Sequence, residues 1–314
     1  MGYVSGNLAK VKRKIYQTIH EHNASPKGKY YVIYRKAGFV GIGSHIISGL
    51  SHCKYADDNN MIPLVDMKYY HNIYLEDKEF CKKNAWDYYF DTNLISGTSL
   101  DDVYSNRDYS ICSGFPLEEC PNDSMEFLYD YELKKYWNSL FWKYMPINNF
   151  ILDYVSEFID SKIEPVRECG ETIAGVFLRG TDYIALRPQG HPIQPSISEA
   201  IEKISELQEK WGFKYILLVT EDKSISSAIC SKFGDDIISI DDFKYDYSGD
   251  GYVGYVKSER ERDKYLHGKE YLRSILLLGE CDYIIAGRAS GSVVAHILAK
   301  NVKEEYFFDL GLYE

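Results

Sequence analysis

The chain has 314 residues, of which 45% are hydrophobic and 26% charged, a composition that supports two globular domains of ordinary size. Its formal net charge of −11 argues against a broad nucleic-acid-binding surface. The seven cysteines include no Cys-x-x-Cys pair, which argues against a disulfide framework or a zinc site and favours a reducing compartment.

The first half of the chain predicts one strand–helix–strand unit. Runs rich in β-branched and aromatic residues favour strands, and apolar positions between them repeat with helical spacing. The predicted elements are, in order, a strand at 30–34, a glycine loop with Gly38, Gly41 and Gly43, a helix from Ser44 to Cys53, a strand at 61–65 followed by Asp66, and a connecting helix at 148–163. Residues 69–146 show little periodicity, so no element is predicted there.

The second half alternates strands and helices throughout. The strands are predicted at 172–178, 215–219, 237–240, 283–286 and 306–308, and the helices at 196–211, 224–233, 270–278 and 292–300. Such alternation predicts a parallel, doubly wound sheet that binds ligands at the carboxyl ends of its strands. We therefore expect two domains, residues 1–150 and residues 151–314.

Polar residues follow three strands of the second half. They are Arg179 after the first strand, Thr220, Glu221 and Asp222 after the second, and Ser290, Gly291 and Ser292 after the fourth. A guanidinium binds phosphate oxygens in pairs, an acid accepts hydrogen bonds from ribose or a base edge, and a helix start binds anions. Each group also has a structural interpretation, as a salt-bridged loop arginine, first-turn acids or capping serines. The residues alone leave both interpretations open.

The glycine loop of the first half lies between a strand and a helix, as dinucleotide-binding loops do. Its order, Gly38-x-x-Gly41-x-Gly43, is reversed relative to Gly-x-Gly-x-x-Gly, and its turn is longer. An NAD-dependent Rossmann oxidoreductase, with Asp66 as the acid at the next strand end, therefore stays as an alternative function.

Several signatures of other protein classes are absent from the sequence. There is no Asp-x-Asp for a metal–diphosphate clamp, so neither a metal nor another cofactor is expected. His-Glu-x-x-His, Gly-x-Ser-x-Gly and Walker A sequences are also missing. No run approaches the ~18 apolar residues of a membrane span, and no signal-peptide core is present. A cytoplasmic protein with at most peripheral membrane contact is expected.

The order of these motifs resembles the fucosyltransferase superfamily that includes the α1,6-fucosyltransferases, the bacterial nodulation fucosyltransferase and the protein O-fucosyltransferases. The matching runs are Gly175–Asp182, Thr220–Asp222, Asp282–Ser292, Gly41–His45, and Asn84–Phe90 with its Trp-acid-Tyr-Tyr-Phe pattern. Two positions depart from the family pattern, because Arg179 stands alone where the family has an arginine pair and Phe177 stands where it has a histidine.

This resemblance implies a GT-B fold, with two Rossmann-like doubly wound domains facing a cleft. It implies an inverting, metal-independent transfer of a sugar, expected to be fucose from GDP-fucose, to a glycan hydroxyl. Arg179 and the helix start at Ser290–Ser292 would stabilise the charge that develops on the β-phosphate. Glu221 or Asp222 would hold the ribose or the guanine.

Two further roles are the donor contacts from the first half of the chain and the catalytic base. Gly41, Gly43 and His45 would close the donor site on the side of the first domain. The catalytic base stays open between Asp182, which is favoured, His191 and His45; Asp182 also has the alternative of orienting Arg179. A nucleotide-sugar-binding pseudoenzyme is the other alternative function.

Overall fold

The structure is a computed structural model that describes residues 2–244 and 259–314, with side chains from residue 10 onward. In these ranges the helices are α1 (Gly2–Asn23), α2 (Ile42–Asp58), α3 (Thr92–Ser96), α4 (Leu100–Asn106), α5 (Met125–Leu128), α6 (Tyr131–Tyr144), α7 (Asn149–Phe158), α8 (Glu164–Glu168), α9 (Asp182–Leu186), α10 (Ile197–Trp211), α11 (Lys223–Phe233), α12 (Asp263–Leu278) and α13 (Ser290–Leu298). The strands are β1 (Tyr30–Ile33), β2 (Ile62–Val65), β3 (Tyr109–Ile111), β4 (Ile173–Phe177), β5 (Tyr215–Val219), β6 (Ile237–Ile238), β7 (Tyr283–Gly287) and β8 (Glu304–Phe308). Within the same ranges, no helix combines the length and the apolar character needed to cross a membrane.

The chain folds into two compact units. Unit 1 contains the described residues of Met1–Pro121, Lys135–Asn149 and Lys257–Lys269, and unit 2 contains those of Asn122–Lys134, Phe150–Val256 and Glu270–Glu314. One division falls next to residue 150, where a single boundary was expected. The segments Asn122–Lys134 and Lys257–Lys269 depart from that simple division, since each belongs to the unit formed mainly by the other half of the chain.

Unit 1 is built on a three-stranded parallel sheet in the order β2-β1-β3. The strands β1 and β2 and the helix α2 between them form the predicted strand–helix–strand unit. β3 lies in the region for which no element was predicted, because three residues are too few to show an alternating pattern. Leu50 and Ile46 of α2 are fully buried, so the apolar stripe seen in the sequence is the packed face of this helix.

Unit 2 is built on a five-stranded parallel sheet in the order β6-β5-β4-β7-β8. This order starts in the middle with β4, runs outward to β6 and then returns to the other side of β4 with β7. The predicted parallel, doubly wound sheet is therefore confirmed. The strand order reverses between β4 and β7, and in such sheets this reversal opens the ligand crevice at the carboxyl ends of the two strands.

Helix α10 illustrates how the sequence builds this unit. Ser196 accepts a hydrogen bond from the Glu199 N–H, and the Glu199 carboxylate accepts one from the Ser196 N–H, which forms a capping box. Ile204 and Leu207 bury the apolar stripe in the core of the sheet. Gly212 ends the helix at φ +72°, a left-handed conformation that favours glycine.

Candidate functional site

Arg179 lies just beyond the carboxyl end of β4, the central strand of the unit 2 sheet. All five residues of β4 are buried, so a rigid strand fixes the position of the arginine backbone. The guanidinium is mostly buried and pairs with two carboxylates, with Asp182 through Nη2 at 2.7 Å and with Glu221 through Nη1. A guanidinium carries five N–H donors, so these two pairs hold its orientation and leave further donors for a ligand.

The backbone next to Arg179 is strained at Thr181. This β-branched residue has φ +51° and ψ −123°, a combination that only glycine adopts readily. Three contacts hold it there: its N–H donates to Asp222 Oδ2 at 2.9 Å, and its hydroxyl lies 3.1 Å from both Asp182 Oδ1 and Glu221 Oε1. Strain that the surroundings over-determine in this way is a recurrent feature of functional sites.

The run after β5 divides into two kinds of residue. Asp222 is committed to structure, since Oδ1 caps α11 through the N–H groups of Ser224 and Ile225, and Oδ2 accepts from Thr181. The buried Thr220 hydroxyl accepts from the Asp222 N–H at 3.2 Å. Glu221, by contrast, faces Arg179 and the Thr181 hydroxyl. Glu221 is thus the member of this run that lies at the arginine.

The run after β7 forms the beginning of α13. Ser292 is fully buried, and its hydroxyl donates to the carbonyls of Gly287 and Ala289 and accepts from the Ala289 N–H, so it serves the turn itself. Ala289 is at the N-cap position, and its methyl side chain cannot accept hydrogen bonds from the N–H groups of the first turn. Gly291 packs so tightly that an added Cβ would lie 3.0 Å from the ring of Phe177, the last residue of β4. The uncapped helix start therefore lies beside the end of β4.

Three further residues of unit 2, two of them near Arg179 and one near His191, were not identified from the sequence. The Tyr271 hydroxyl is buried against Gly291, and burial raises its pKa to about 12, although the charge of Arg179 opposes this shift. The Tyr183 ring lies 5.2 Å from the Arg179 guanidinium, and its hydroxyl is 3.2 Å from Nδ1 of His191. Both tyrosines could be found only from the tertiary structure, because tyrosine is common along the whole chain.

Asp123 is the third residue that the sequence did not reveal. It belongs to unit 2, and burial raises the pKa of its carboxyl, while the charges of Arg288 and His191 act in the opposite direction. His191 itself is exposed in the turn that follows α9. Two of the three candidate bases of the sequence analysis are thus in different environments, since Asp182 is buried against Arg179 and His191 is exposed near Asp123.

In unit 1, the glycine loop leads into α2, which begins at Ile42 rather than at Ser44. Gly41 is its N-cap, and no side chain caps the helix. Among the described residues, an added Cβ at Gly41 would meet only the Tyr74 hydroxyl, at 3.8 Å, and the φ of −71° suits any residue. Gly43 lies within the first turn and is buried. The described fold therefore does not require glycine at position 41. The close approach of a ligand to the backbone of this helix start would require it.

Two buried polar groups near the same helix start have no hydrogen-bond partner among the described residues. They are Nε2 of His45 and Nε of Arg35. Burial, assisted by the charge of Arg35, lowers the pKa of His45 to about 3, so its imidazole is neutral at pH 7. Burial also lowers the pKa of Arg35. Unpartnered buried groups are rare in proteins and call for an explanation such as a missing ligand.

Asp66, at the end of β2, is not available to a dinucleotide. Its side chain is 1% exposed, Oδ1 accepts from the N–H groups of Lys68 and Tyr69, and Oδ2 accepts from the Tyr104 hydroxyl at 2.6 Å. Burial raises its pKa to about 6. The acid that an NAD fingerprint would need for the ribose is thus fully engaged in the core of unit 1.

The Trp-acid-Tyr-Tyr-Phe run of the sequence borders a cavity in unit 1. Trp86 is buried and stacks on Phe90, whereas Asp87 and Tyr88 line a polar cavity of about 300 Å³. The remaining lining residues are Lys68, Lys82, Lys83, Asn84, Ser99, Leu100 and Asp101. Hydroxyl, amide, carboxylate and ammonium groups surround one space of a size that suits a sugar ring.

Comparison with solved structures finds the same fold in a bacterial fucosyltransferase. NodZ α1,6-fucosyltransferase soaked with GDP-fucose matches with a TM-score of 0.56 and 14% identity, over 90% of this chain and 96% of NodZ. NodZ co-crystallised with GDP and selenomethionine NodZ from Bradyrhizobium each match with a TM-score of 0.54 and 14% identity, over 90% of this chain and 95% of theirs. No family model and no curated protein sequence matches the chain. The chain therefore has the α/β, GT-B fold of the NodZ fucosyltransferase, as the motif order predicted.

Proposed function

We propose that the chain is an inverting glycosyltransferase that transfers a sugar, expected to be fucose, from its GDP conjugate to a hydroxyl of a glycan. The observation that carries the proposal is that Arg179 and the uncapped start of α13 follow the neighbouring strands β4 and β7, at the point where the strand order of unit 2 reverses. A fixed cation and free N–H groups at one sheet edge suit a diphosphate. The NodZ structures with GDP and GDP-fucose support the choice of guanine nucleotide.

The site residues take complementary roles in this proposal. Arg179 donates hydrogen bonds to the β-phosphate, and the N–H groups of Ser290, Gly291 and Ser292 bind the same diphosphate. Glu221 accepts hydrogen bonds from the ribose hydroxyls. Thr220 and Asp222 support this contact by holding the turn, and Gly41, Gly43 and His45 stay proposed as donor contacts from unit 1.

The reaction is a single displacement. An acceptor hydroxyl attacks C1 of the sugar, the bond from C1 to the β-phosphate oxygen breaks, and GDP leaves with the bonding electrons. Negative charge grows on that oxygen, and Arg179, already oriented by Asp182 and Glu221, stabilises it without reorganisation. In this proposal the stabilisation needs no metal. Metal independence and the inverted configuration at C1 both stay predictions.

The proton of the acceptor hydroxyl needs a base, and His191 is our candidate. The Asp182 carboxylate, favoured by the sequence, holds the Arg179 guanidinium and the Thr181 hydroxyl, which suits an orienting role. His191 is exposed, is 3.2 Å from the Tyr183 hydroxyl and experiences the charge of Asp123. His45 is a poor candidate because its ring is buried and neutral.

The polar cavity of unit 1 supports a carbohydrate acceptor. Its lining combines Asp87, Tyr88 and Asn84 with lysines, the kind of groups that hydrogen-bond sugar hydroxyls. Burial raises the pKa of Asp87, and Thr92 and Asn84 donate hydrogen bonds to its carboxylate. The identity of the glycan and the linkage are not part of the proposal.

Calorimetric titration of the full chain with GDP, UDP and ADP, with and without EDTA, tests the proposed function. We expect GDP to bind more tightly than UDP or ADP and EDTA to leave the affinity unchanged. A preference for UDP, or binding that requires a metal, would refute the donor assignment.

Assays of donor turnover and of NADH binding separate the two alternatives. A pseudoenzyme would bind GDP without hydrolysis or transfer of the sugar. An oxidoreductase would bind NADH at micromolar concentration, and the engagement of Asp66 argues against it.

A further inference from the structure

Helix α1 (Gly2–Asn23) differs in charge from the rest of the chain. Residues Lys10, Lys12, Arg13 and Lys14 are basic, and Glu21 is the only acidic residue of the helix. The whole chain, by contrast, carries a formal net charge of −11. The helix is therefore a local basic element on an acidic protein.

The helix packs on unit 1 through polar and aromatic side chains. The Gln17 amide donates to the Tyr69 carbonyl at 3.1 Å, and the buried His20 ring stacks on Tyr104 with 3.5 Å between centroids. These contacts fix the rotation of the helix about its axis. They show which face meets the protein and which face meets the surroundings.

The opposite face exposes a stripe of large apolar side chains. Val11, Ile15 and Ile19 are 57%, 53% and 46% exposed. Spaced four residues apart, they lie about 40° from one another around the helix and form one continuous stripe. This is the reverse of the usual arrangement, in which a surface helix buries its apolar stripe against its own protein.

Lysines flank this apolar stripe on both sides. By helical geometry, Lys14 lies about 100° to one side of Ile15 and Lys12 lies about 60° to the other. Lys10 lies about 140° from Ile15, next to the face of the helix that packs on unit 1. All three are exposed. Apolar residues bordered by lysines are the pattern of a helix that lies in the interface of an anionic bilayer.

We propose that α1 docks the protein onto an anionic phospholipid surface, with Val11, Ile15 and Ile19 entering the headgroup boundary and the flanking lysines contacting lipid phosphates. Charge complementarity favours this occupant over a second copy of the chain, because two such stripes face to face would bring lysines near lysines. The acidic remainder of the protein is repelled by the same surface, so docking occurs through α1. The inference does not depend on the proposed transferase activity.

Co-sedimentation of the full chain with vesicles tests the proposal. We expect binding to phosphatidylcholine vesicles that contain about 30% phosphatidylglycerol, and at least about tenfold weaker binding to phosphatidylcholine alone. Salt at about 0.5 M should reduce the binding, since it screens exposed charges. Equal binding to both vesicle types, or no binding to either, would overturn the proposal.

Two pairs of variants separate the apolar stripe from the lysines. Ile15→Asp should weaken vesicle binding at least about tenfold, and the combined Lys12→Glu and Lys14→Glu change should do the same. The matched controls are Leu94→Asp, at an apolar residue that is 72% exposed elsewhere in unit 1, and Lys135→Glu. Both controls should bind vesicles as the parent does.

Two further measurements keep the test decisive. GDP affinity and the thermal midpoint should be unchanged in Ile15→Asp, because its side chain is exposed and lies outside the donor site. Light scattering without lipid should report the same mass for parent and variant. A dimer that dissociates in Ile15→Asp would assign the stripe to a second copy and overturn the lipid proposal.

Discussion

Two regions differ in whether their buried polar groups have partners. One is the edge of the unit 2 sheet at Arg179, and the other is the helix start of unit 1 at Gly41. At Arg179 the charged side chains hold one another, since Asp182 and Glu221 both pair with the guanidinium. Near Gly41, Nε of Arg35 and Nε2 of His45 have no hydrogen-bond partner in the part of the chain that the structure describes, and no described side chain caps α2. The first site is preorganised by its own residues, whereas the second leaves donors free.

This difference teaches that the two sites should respond differently to mutation. Removing a side chain at Arg179 deletes the group that does the chemistry and leaves two carboxylates without their cation. A Cβ added at Gly41 meets no close contact among the described residues, so we expect a side chain there to affect mainly what approaches from outside. The predictions below, from the largest expected effect to the smallest, test this contrast.

Arg179→Ala should lower kcat by about 10²–10³, because the group that stabilises the leaving diphosphate is lost. GDP affinity should fall less than kcat. Arg179→Lys should recover little, since an ammonium cannot make the paired contact. Thermal melts and donor kinetics measured on the same samples check this, and a folded Arg179→Ala protein with near-parental kcat would end the proposed mechanism.

His191→Gln should lower kcat by about 10², the usual contribution of a general base. The acidic limb of the pH–rate profile should disappear in this variant. Asp123→Asn serves as the companion variant, because it removes a carboxylate near His191 and keeps the imidazole, so its kcat should stay above that of His191→Gln. An unchanged profile in His191→Gln would return the base role to Asp182 or to another group.

Gly41→Val should lower transfer about tenfold by keeping the donor from the start of α2, while the thermal midpoint stays within about 2 °C of the parent. Gly38→Ala is the contrasting variant, because its Cβ would lie 2.6 Å from the His71 carbonyl oxygen. It should lower stability by about 1–3 kcal/mol, which melting reports directly. Parental kinetics in Gly41→Val would exclude a ligand at this helix start.

His45 should make unit 1 sensitive to acid. Its pKa is about 3 in the folded chain and near 6.5 when unfolded, so only the unfolded chain binds the proton between these values. Stability is therefore lost as the pH falls below 6.5. Between pH 6.5 and about 5, His45→Gln should lose about 2 kcal/mol less unfolding free energy than the parent. Urea titrations across this range measure the difference, and parallel curves would contradict a buried neutral imidazole.

Much of the second half could be predicted from the sequence. β5 occurs at the predicted residues, β4 is one residue shorter than predicted at each end, and α10 begins one residue later than predicted. The reason is that buried strands and amphipathic helices carry their own local periodicity. The first half was harder, because α3, α4 and β3 are too short to show any period and α1 presents its apolar residues outward. The expectation of no element at 69–146 was wrong for α6, a 14-residue helix whose exposed Tyr136 and Trp142 blur the apolar stripe.

The candidate site shows the same division. The sequence placed Arg179 at a strand end. It could not show that the Asp222 carboxylate caps α11 while the Glu221 carboxylate pairs with Arg179. Both are acids in one loop, and only the turn after β5 decides which carboxylate points where. Tyr271 and Asp123 lie far from Arg179 along the chain, so no local pattern connects them with it.

The sequence by itself determined the alternation of strands and helices, the chemistry at the strand ends and the order of motifs that resembles fucosyltransferases. These features depend on residues close together in the chain. The tertiary structure decided which strand ends become neighbours, because the pairing of Val176 with Ile285 joins residues more than a hundred positions apart. That pairing brings the start of α13 beside Arg179, and packing free energy summed over the whole sheet, rather than any local preference, selects it.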